Sequence, residues 1–342
     1  MAELLKKLIS INSVSGNEKE IADFLEKHLK KLEIVPKRIG DNLIVKTGSG
    51  KKTVMLVSHI DTVPAGGSWT EDPFSPMIKE NRIYGLGASD NKSNVALLLK
   101  LISGLKPNKL NGKVIFAFTT REETDLSGIK TVLGECEKPD YAIITEPTGL
   151  IPCSCQKGLV ILKGESTGKR AHASTPEKGE NAIVNAVDDI KKLSEIRFEK
   201  KHKLLGFPKL SVTKISAGVS HNIIPEKCEF TIDARTTPEY YNEKIIHLIK
   251  KNINSKIIVK SKRLKSSETD PDNELIRKAE KICSKKPQGF SAFSEMSFFS
   301  CPAVILGCGK LEQAHKPDEF IDINNYKKGL FILEKLVTEI LK

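Results

Sequence analysis

Four short apolar runs in this chain each lead into acidic or histidine side chains. In chain order, the runs and their followers are 53–58 before His59 and Asp61, 114–118 before Glu122 and Glu123, 141–144 before Glu146, and 303–306 before His315. Short apolar runs bounded by turn residues are typical of strands buried on both faces. In open α/β sheets, ligands bind at the carboxyl ends of such strands. The sequence therefore predicts that these side chains converge on one edge of a sheet.

The order of predicted elements changes along the chain. Up to residue 158, and again from residue 265, strands alternate with helices, which favours a mostly parallel sheet covered by helices. Residues 159–264 instead follow the order strand, helix, strand, strand, helix, strand, which is ferredoxin-like. We therefore expect an α/β fold in which a catalytic domain, residues 1–158 and 265–342, is interrupted by an inserted α+β domain, residues 159–264.

Ser15 and Glu18 predict the start of the second helix. They stand three residues apart, just before apolar residues that recur at helical spacing from Ile21. This spacing is that of a capping box, in which the serine hydroxyl and the glutamate carboxylate satisfy backbone N–H groups at the start of a helix.

The formal net charge of +12 raises the question of an acidic partner. Lysine supplies most of this charge, mainly on predicted helix faces, and no motif typical of nucleic-acid binding is present. The apolar runs are too short to span a bilayer. We expect neither a nucleic acid nor a membrane as partner. The charge is compatible with an acidic small molecule or an acidic protein as partner.

The seven cysteines indicate a reducing compartment. Their number is odd and their spacing follows no disulfide framework. The first residues also lack the uninterrupted apolar stretch of a secretory signal. We therefore expect a cytoplasmic protein.

The predicted strand ends carry enough ligands for two metal ions. Zinc binds imidazole nitrogen and carboxylate oxygen, and one carboxylate must bridge if two ions lie within about 4 Å. Asp90 is the best candidate for the bridge, because it is short and follows glycines that permit a tight turn. Asp61 is placed to accept the imidazole N–H of His59. Glu122 and Glu123 are consecutive, so one can face a metal and the other a water, an arrangement that suits hydrolysis.

Several motifs together resemble the di-zinc aminoacylase and carboxypeptidase superfamily, and within it the branch of acetylornithine deacetylase and succinyl-diaminopimelate desuccinylase. These motifs are residues 58–64 and 84–92, the pair Glu122-Glu123, residues 146–148, and His315. The resemblance implies two zinc ions per subunit, with cobalt or manganese as alternatives at the same ligands. It assigns His59 and Glu146 to one ion, Glu123 and His315 to the other, Asp90 to the bridge, and Glu122 to the role of general base.

The same resemblance assigns roles to the inserted domain. In such enzymes this domain forms the contact of a homodimer and a lid. His172, in the segment 168–173, matches a histidine that reaches a neighbouring active site and stabilises the oxyanion. Asn222 and Arg235 match positions that hold the substrate, and a guanidinium group suits a carboxylate because the two pair bidentately.

Two segments depart from the family pattern. Asn91-Lys92-Ser93 follows the bridging aspartate, where Met-Lys-Gly is usual, and Ser294-Glu295 stands in place of a Ser-Asp pair before the last strand. The second departure bears on substrate recognition, so no role is assigned to Ser294 or Glu295.

The leading functional hypothesis is hydrolysis of the amide of an N-acyl amino acid, with N-acetylornithine or a related diamino acid as substrate. Succinyl-diaminopimelate desuccinylation is one alternative. Release of lysine or ornithine from an acidic carrier protein is another, and the net charge would suit it. A non-catalytic, peptide-binding relative is the alternative outside the enzymes.

Overall fold

The structure of the chain is a computed structural model that describes residues 1–106 and 110–342. It divides into two compact units. The first comprises Met1–Ser154, Thr269–Gln288 and Ser294–Lys342, and the second comprises Cys155–Glu268 and Gly289–Phe293. The domain boundaries expected from the sequence, after residues 158 and 264, stay a prediction.

The helices and strands of the described residues are as follows. The helices are α1 (Ala2–Ile9), α2 (Lys19–Lys30), α3 (Lys92–Gly104), α4 (Ser127–Gly134), α5 (Ala182–Glu195), α6 (Asn242–Asn252), α7 (Glu274–Cys283) and α8 (Ile323–Ile340). The strands are β1 (Lys37–Ile39), β2 (Asn42–Ser49), β3 (Thr53–His59), β4 (Met77–Lys79), β5 (Arg82–Tyr84), β6 (Gly112–Thr119), β7 (Tyr141–Ile144), β8 (Cys153–Gln156), β9 (Gly158–Thr167), β10 (Ala171–His172), β11 (Lys209–Ala217), β12 (Ile223–Ile224), β13 (Lys227–Thr236), β14 (Lys256–Leu264), β15 (Ser267–Glu268), β16 (Gln288–Phe290), β17 (Ala303–Ile305) and β18 (Phe320–Asp322).

The first unit is built on the part of a nine-stranded sheet that has the strand order β1-β2-β6-β3-β7-β17-β8. Its four central strands, β6, β3, β7 and β17, are parallel to one another. They are the four apolar runs of the sequence. Strand β2 runs antiparallel to β6 and β8 antiparallel to β17. The predicted fold class, a mostly parallel sheet in an α/β domain, is confirmed.

The central strands are buried on both faces. Every residue from Val114 to Phe118 in β6 has no exposed surface, and neither does any residue from Val54 to Val57 in β3. Helices α1, α2, α3 and α8 contribute to the same core. Such burial explains why these strands lack the alternation of apolar and polar residues that a half-exposed strand would show.

The predicted capping box is wrong. Helix α2 begins at Lys19, with Glu18 at its N-cap and no capping bond from that side chain. The Ser15 hydroxyl donates instead to the carboxylate of Asp61, and a carboxylate oxygen of Glu18 accepts the backbone N–H of Arg121 at 3.1 Å. The fully buried Asp61 needs donors within the protein, whereas water can satisfy an exposed helix end.

The second unit contains a four-stranded antiparallel sheet with the order β11-β13-β9-β14. Taken in chain order, its elements follow the ferredoxin-like pattern β9-α5-β11-β13-α6-β14. Alternate residues of β9 and β13 are buried, and they pack with residues of α5 and α6. The predicted ferredoxin-like insertion is therefore confirmed as a fold. No helix among the described residues is both long and apolar enough to cross a membrane.

Candidate metal centre

The parallel strands bring the predicted side chains to one edge of the sheet. His59 is the last residue of β3 and lies opposite Thr119, the last residue of β6. Glu122 and Glu123 follow in the turn after β6, and Glu146 follows β7 by two residues. Parallel strands have their carboxyl ends at the same edge, so all these residues leave the sheet on the same side.

Asp90 lies between two histidines. Its Oδ1 is 3.1 Å from Nε2 of His59, and its Oδ2 is 3.7 Å from Nε2 of His315. The same nitrogen of His315 is 3.0 Å from Oε1 of Glu123. One carboxylate therefore faces a different imidazole with each of its oxygens, an arrangement that would suit a ligand shared by two ions.

The spacing of these atoms fits a pair of metal ions. Tetrahedral ligands about 2.0–2.1 Å from zinc lie roughly 3.3 Å from each other, and the distances around Asp90 fall near this value. His59, Asp90 and Glu123 each offer a ligand atom within 4.8 Å of the others. Glu146 is buried, and among the described residues its Oε1 has no hydrogen-bond partner. Such an oxygen suits a metal ligand better than a structural carboxylate.

Asp61 orients the residues around it in two ways. Nδ1 of His59 is 3.1 Å from the backbone carbonyl of Asp61 and 3.5 Å from its Oδ1. The carbonyl is thus the nearer acceptor, and this bond turns Nε2 of His59 towards Asp90. The Asp61 carboxylate accepts the backbone N–H groups of Glu122 and Glu123, both at 3.1 Å. It therefore fixes the turn that carries both glutamates.

The cluster has an excess of acidic groups. Burial raises the pKa of Glu122 and of Glu146 well above the ordinary value, and neighbouring carboxylates raise it further, although the charge of His59 opposes this. A hydrogen bond with Glu123 raises the pKa of His315 to about 9. Burial alone would lower the pKa of His59, but hydrogen bonds to Asp61 and Asp90 raise it well above its usual value. Divalent cations would neutralise this excess of carboxylates.

Glu295 belongs to the same cluster, although no role could be assigned to it from the sequence. It has no exposed surface, and the side chain of Thr119 is the polar group that interacts with its carboxylate. It lies close enough to Glu122 and Glu146 to raise the pKa of both. The only signal in the sequence was the replacement of the usual aspartate by glutamate.

The second unit places His172 next to Asn222. Strand β10 pairs with β12, and the N–H of Ala173 donates to the carbonyl of Asn222 at 2.9 Å. Nδ1 of the exposed His172 accepts the N–H of Ser174 at 3.2 Å and lies 2.7 Å from the hydroxyl oxygen of Ser174, which can donate to the same nitrogen. In the neutral imidazole the proton then resides on Nε2, which leaves an N–H donor for another group.

Arg235 is already paired within its own strand. Its Nε lies 2.8 Å from Oδ1 of Asp233 and its Nη2 lies 3.2 Å from Oδ2. Two guanidinium N–H groups are thus committed to Asp233, and a substrate carboxylate would meet the remaining ones.

A second cluster, formed by Cys155, His202 and Glu268, has spacing that could hold a metal ion. Nδ1 of His202 accepts the backbone N–H groups of Leu204 and Leu205 at 3.1 and 3.0 Å. The proton of the neutral ring is therefore on Nε2, which donates to Glu268 at 3.1 Å. With both nitrogens used in this way, His202 presents no lone pair to a metal, and its bonds are structural.

A helix-covered parallel sheet with histidines and carboxylates converging on its edge defines a metallohydrolase of the α/β class. A sequence profile of peptidase family M20/M25/M40 matches residues 55–339. The chain belongs to this family.

Curated relatives from bacteria match almost the whole chain. Acetylornithine deacetylase of Proteus mirabilis is 31% identical, over 94% of this chain and 92% of that enzyme. Acetylornithine deacetylase of Photorhabdus laumondii is 28% identical, over 98% of this chain and 96% of that enzyme.

Solved structures share the fold at lower identity. Aminopeptidase PepT of Bacillus cereus superimposes with a TM-score of 0.82 at 20% identity, covering 100% of this chain and 99% of that one. The M20 family metallo-carboxypeptidase Sso-CP2 of Sulfolobus solfataricus gives 0.79 at 21% identity, covering 98% of both chains. A Bacillus subtilis protein described as a dinuclear metal-binding peptidase of the M20 family gives 0.78 at 15% identity, covering 99% of this chain and 97% of that one.

Glu295 should make the metal-free protein less stable as the pH rises. Burial raises the pKa of this carboxyl from 4.5 to about 7, so the folded state binds the proton more tightly than the unfolded state. The free energy of unfolding therefore falls between about pH 4.5 and pH 7, by an amount on the order of 3 kcal/mol. Glu295→Gln mimics the protonated form, and the stability advantage of the variant over wild type should grow across this pH range in urea unfolding.

The control for this measurement is Glu20→Gln, on the exposed face of α2. It should leave the pH dependence of wild type unchanged. If the free energy of unfolding had the same pH dependence in wild type and in Glu295→Gln, the predicted destabilisation by the buried Glu295 carboxylate would be contradicted.

Proposed function

We propose that the chain hydrolyses the amide bond of an N-acyl amino acid, with N-acetylornithine or a related diamino acid as substrate. The observation that carries the proposal is the carboxylate of Asp90, which faces His59 with one oxygen and His315 with the other. The proteins named acetylornithine deacetylase, which match this chain along almost its full length, support the substrate.

Five residues would hold two ions. His59 and Glu146 would bind one, Glu123 and His315 the other, and Asp90 both. We propose zinc, although cobalt and manganese accept the same ligands. Bound ions of this kind lower the pKa of water towards neutrality and polarise the amide carbonyl.

Glu122 would act as the general base. Asp61 accepts the backbone N–H of Glu122 and that of Glu123 with different oxygens. The turn held in this way would present Glu123 as a ligand and Glu122 to water. Glu122 would take a proton from the attacking water and pass it to the nitrogen of the amide. The water oxygen would bond to the carbonyl carbon, the C–N bond would break, and the products would be a carboxylate and a free amine.

The second unit would supply the groups that bind substrate. The Nε2–H of His172 is suited to donate to the oxygen that becomes negative during attack on the carbonyl. Asn222, whose backbone is bonded to the segment of His172, would contact the substrate. The guanidinium of Arg235 would pair with the substrate carboxylate through the N–H groups that Asp233 leaves available.

Glu122→Gln should remove hydrolysis without removing the metal. Glutamine is close to glutamate in shape but cannot take up the proton, so we expect kcat to fall by roughly 10²–10⁴-fold. Metal content, measured by atomic emission, should stay at the wild-type level. Glu20→Gln serves as the control and should retain full activity. Turnover of Glu122→Gln at the wild-type rate would exclude Glu122 as the base.

A panel of substrates tests the proposed chemistry. Zinc-loaded protein should release amine from acetylornithine. Comparison with succinyl-diaminopimelate and acetyl-lysine would show which acyl group and which amino acid are preferred in the substrate. Release of amine from none of these three compounds would contradict the proposal.

An acidic carrier protein bearing lysine or ornithine is the second candidate substrate. Strand β14 lies at the edge of its sheet, and basic residues are concentrated in and just after it, at Lys256, Lys260, Lys262, Arg263 and Lys265. Such an edge would attract an acidic protein. If the carrier is the substrate, salt should weaken its turnover strongly, whereas hydrolysis of small acyl amino acids should respond much less.

We also propose a homodimer formed through the second unit. Val184 and Val187 lie one turn apart on α5 and are 54% and 53% exposed, and Ile215, on the edge strand β11, is 53% exposed. Helix α5 packs beside β11. Exposed apolar side chains on a helix and on the edge strand that it contacts suit association with a second copy.

Val184→Lys combined with Val187→Lys should convert the dimer to a monomer. Two charges on the apolar surface would oppose association, and sedimentation equilibrium would report the change in mass. If His172 acts in the neighbouring subunit, the monomer should lose hydrolysis while keeping its metal. Val35→Lys, at a position 81% exposed in the first unit, is the matched control and should stay dimeric. A monomeric wild type would contradict the proposed dimer.

A further inference from the structure

One buried carboxylate holds the loop that carries Asp90. Glu319 is only 1% exposed. Its Oε2 accepts the backbone N–H of Gly87 at 2.9 Å, and its Oε1 accepts those of Ser89 at 2.6 Å and Asp90 at 2.9 Å. Its backbone carbonyl accepts the N–H of Gly85 at 2.9 Å. Glu319 thus accepts four hydrogen bonds, one from each of four residues in the stretch 85–90.

The loop depends on these bonds because it has no regular structure of its own. It connects β5 to α3, and its N–H groups find no strand partners there. It is also tightly packed: Gly87 has a φ of +80°, and a Cβ at this position would lie 2.9 Å from the side chain of Lys92. The backbone therefore has little freedom to find other acceptors for the N–H groups that Glu319 satisfies.

We infer that Glu319 is a positioning residue for the ligand shared by the two proposed ions, an inference that rests on the proposed function. By holding the backbone N–H of Asp90, Glu319 determines where the two Asp90 oxygens lie relative to His59 and His315. Hydrogen bonds to a carboxylate are stronger than those between neutral groups. Loss of such support around a metal ligand typically weakens metal binding by 10–100-fold.

Glu319 lies in the same short segment of the chain as His315, one of the proposed metal ligands. It follows His315 by four residues and directly precedes β18. The same short segment therefore supplies one proposed ligand, His315, and the support for the shared ligand, Asp90. A displacement of this segment would move both together.

The second unit offers a matched case of the same chemistry. Asp189 is 2% exposed, and its carboxylate accepts the backbone N–H of Asn254 at 3.1 Å and that of Ser255 at 2.6 Å. It also accepts the hydroxyl of Ser255 at 2.7 Å. Asp189→Asn removes a buried carboxylate that satisfies backbone N–H groups, but no residue of the proposed metal centre is bonded to it. This variant separates a general loss of stability from a specific effect on metal binding.

The experiment compares zinc binding by wild type, Glu319→Gln and Asp189→Asn. Each metal-free protein is titrated with zinc in competition with a chromophoric chelator, and kcat and KM for acetylornithine are measured on the loaded proteins. Glutamine replaces one acceptor oxygen by an NH₂ group, which cannot accept an N–H. We expect Glu319→Gln to bind at least one zinc ion roughly tenfold more weakly or worse, with a lower kcat and a similar KM. Asp189→Asn should bind zinc as wild type does.

Two results would overturn the inference: wild-type zinc affinity in Glu319→Gln, or an equal loss of affinity in Asp189→Asn. If Glu319→Gln does not fold, Glu319→Asp replaces it. The shorter carboxylate keeps its charge but cannot reach all three N–H groups, so weaker zinc binding is again expected. A wild type that binds zinc but cleaves no acyl amino acid would refute the proposed function alone, whereas one that binds no zinc would refute both.

Discussion

The parallel pairing of β6, β3, β7 and β17 is the constraint on which the proposed centre depends. Parallel strands end at one edge, and three of these strands position ligand candidates there: His59 is the last residue of β3, and Glu123 and Glu146 follow β6 and β7. The strands are buried on both faces, so their ends cannot shift without disturbing the core. The rigid sheet thereby positions side chains that would repel one another if they were free.

Electrostatic repulsion among these side chains explains the network around them. Asp61 is held by the hydroxyl of Ser15 and by the N–H groups of Glu122 and Glu123. The carboxylate of Glu319 accepts hydrogen bonds from backbone N–H groups of the loop that carries Asp90. These contacts fix the carboxylates but do not neutralise them. His59 and His315 supply part of the opposing positive charge, and divalent ions held by these residues would supply more.

Much of this arrangement could be predicted from the sequence, because the signals were local. Short apolar runs bounded by turn residues indicated the buried strands, and the order of elements in residues 159–264 indicated the ferredoxin-like sheet. What could not be predicted depends on contacts between distant residues. Ser15 matched a capping box but donates to Asp61, and Glu319 lies 229 residues after Asp90, which it supports. The short strands β4, β5 and β18 form a small sheet that their three-residue lengths did not reveal.

The most direct test of the proposed two-metal centre is a crystal structure of the zinc-loaded protein, with anomalous scattering recorded on both sides of the zinc absorption edge. Two anomalous peaks per chain are expected within about 4 Å of each other, one on each side of the Asp90 carboxylate. His59 and Glu146 should contact one peak, and Glu123 and His315 the other. A single peak, or two peaks that do not share Asp90, would contradict the proposed two-metal centre.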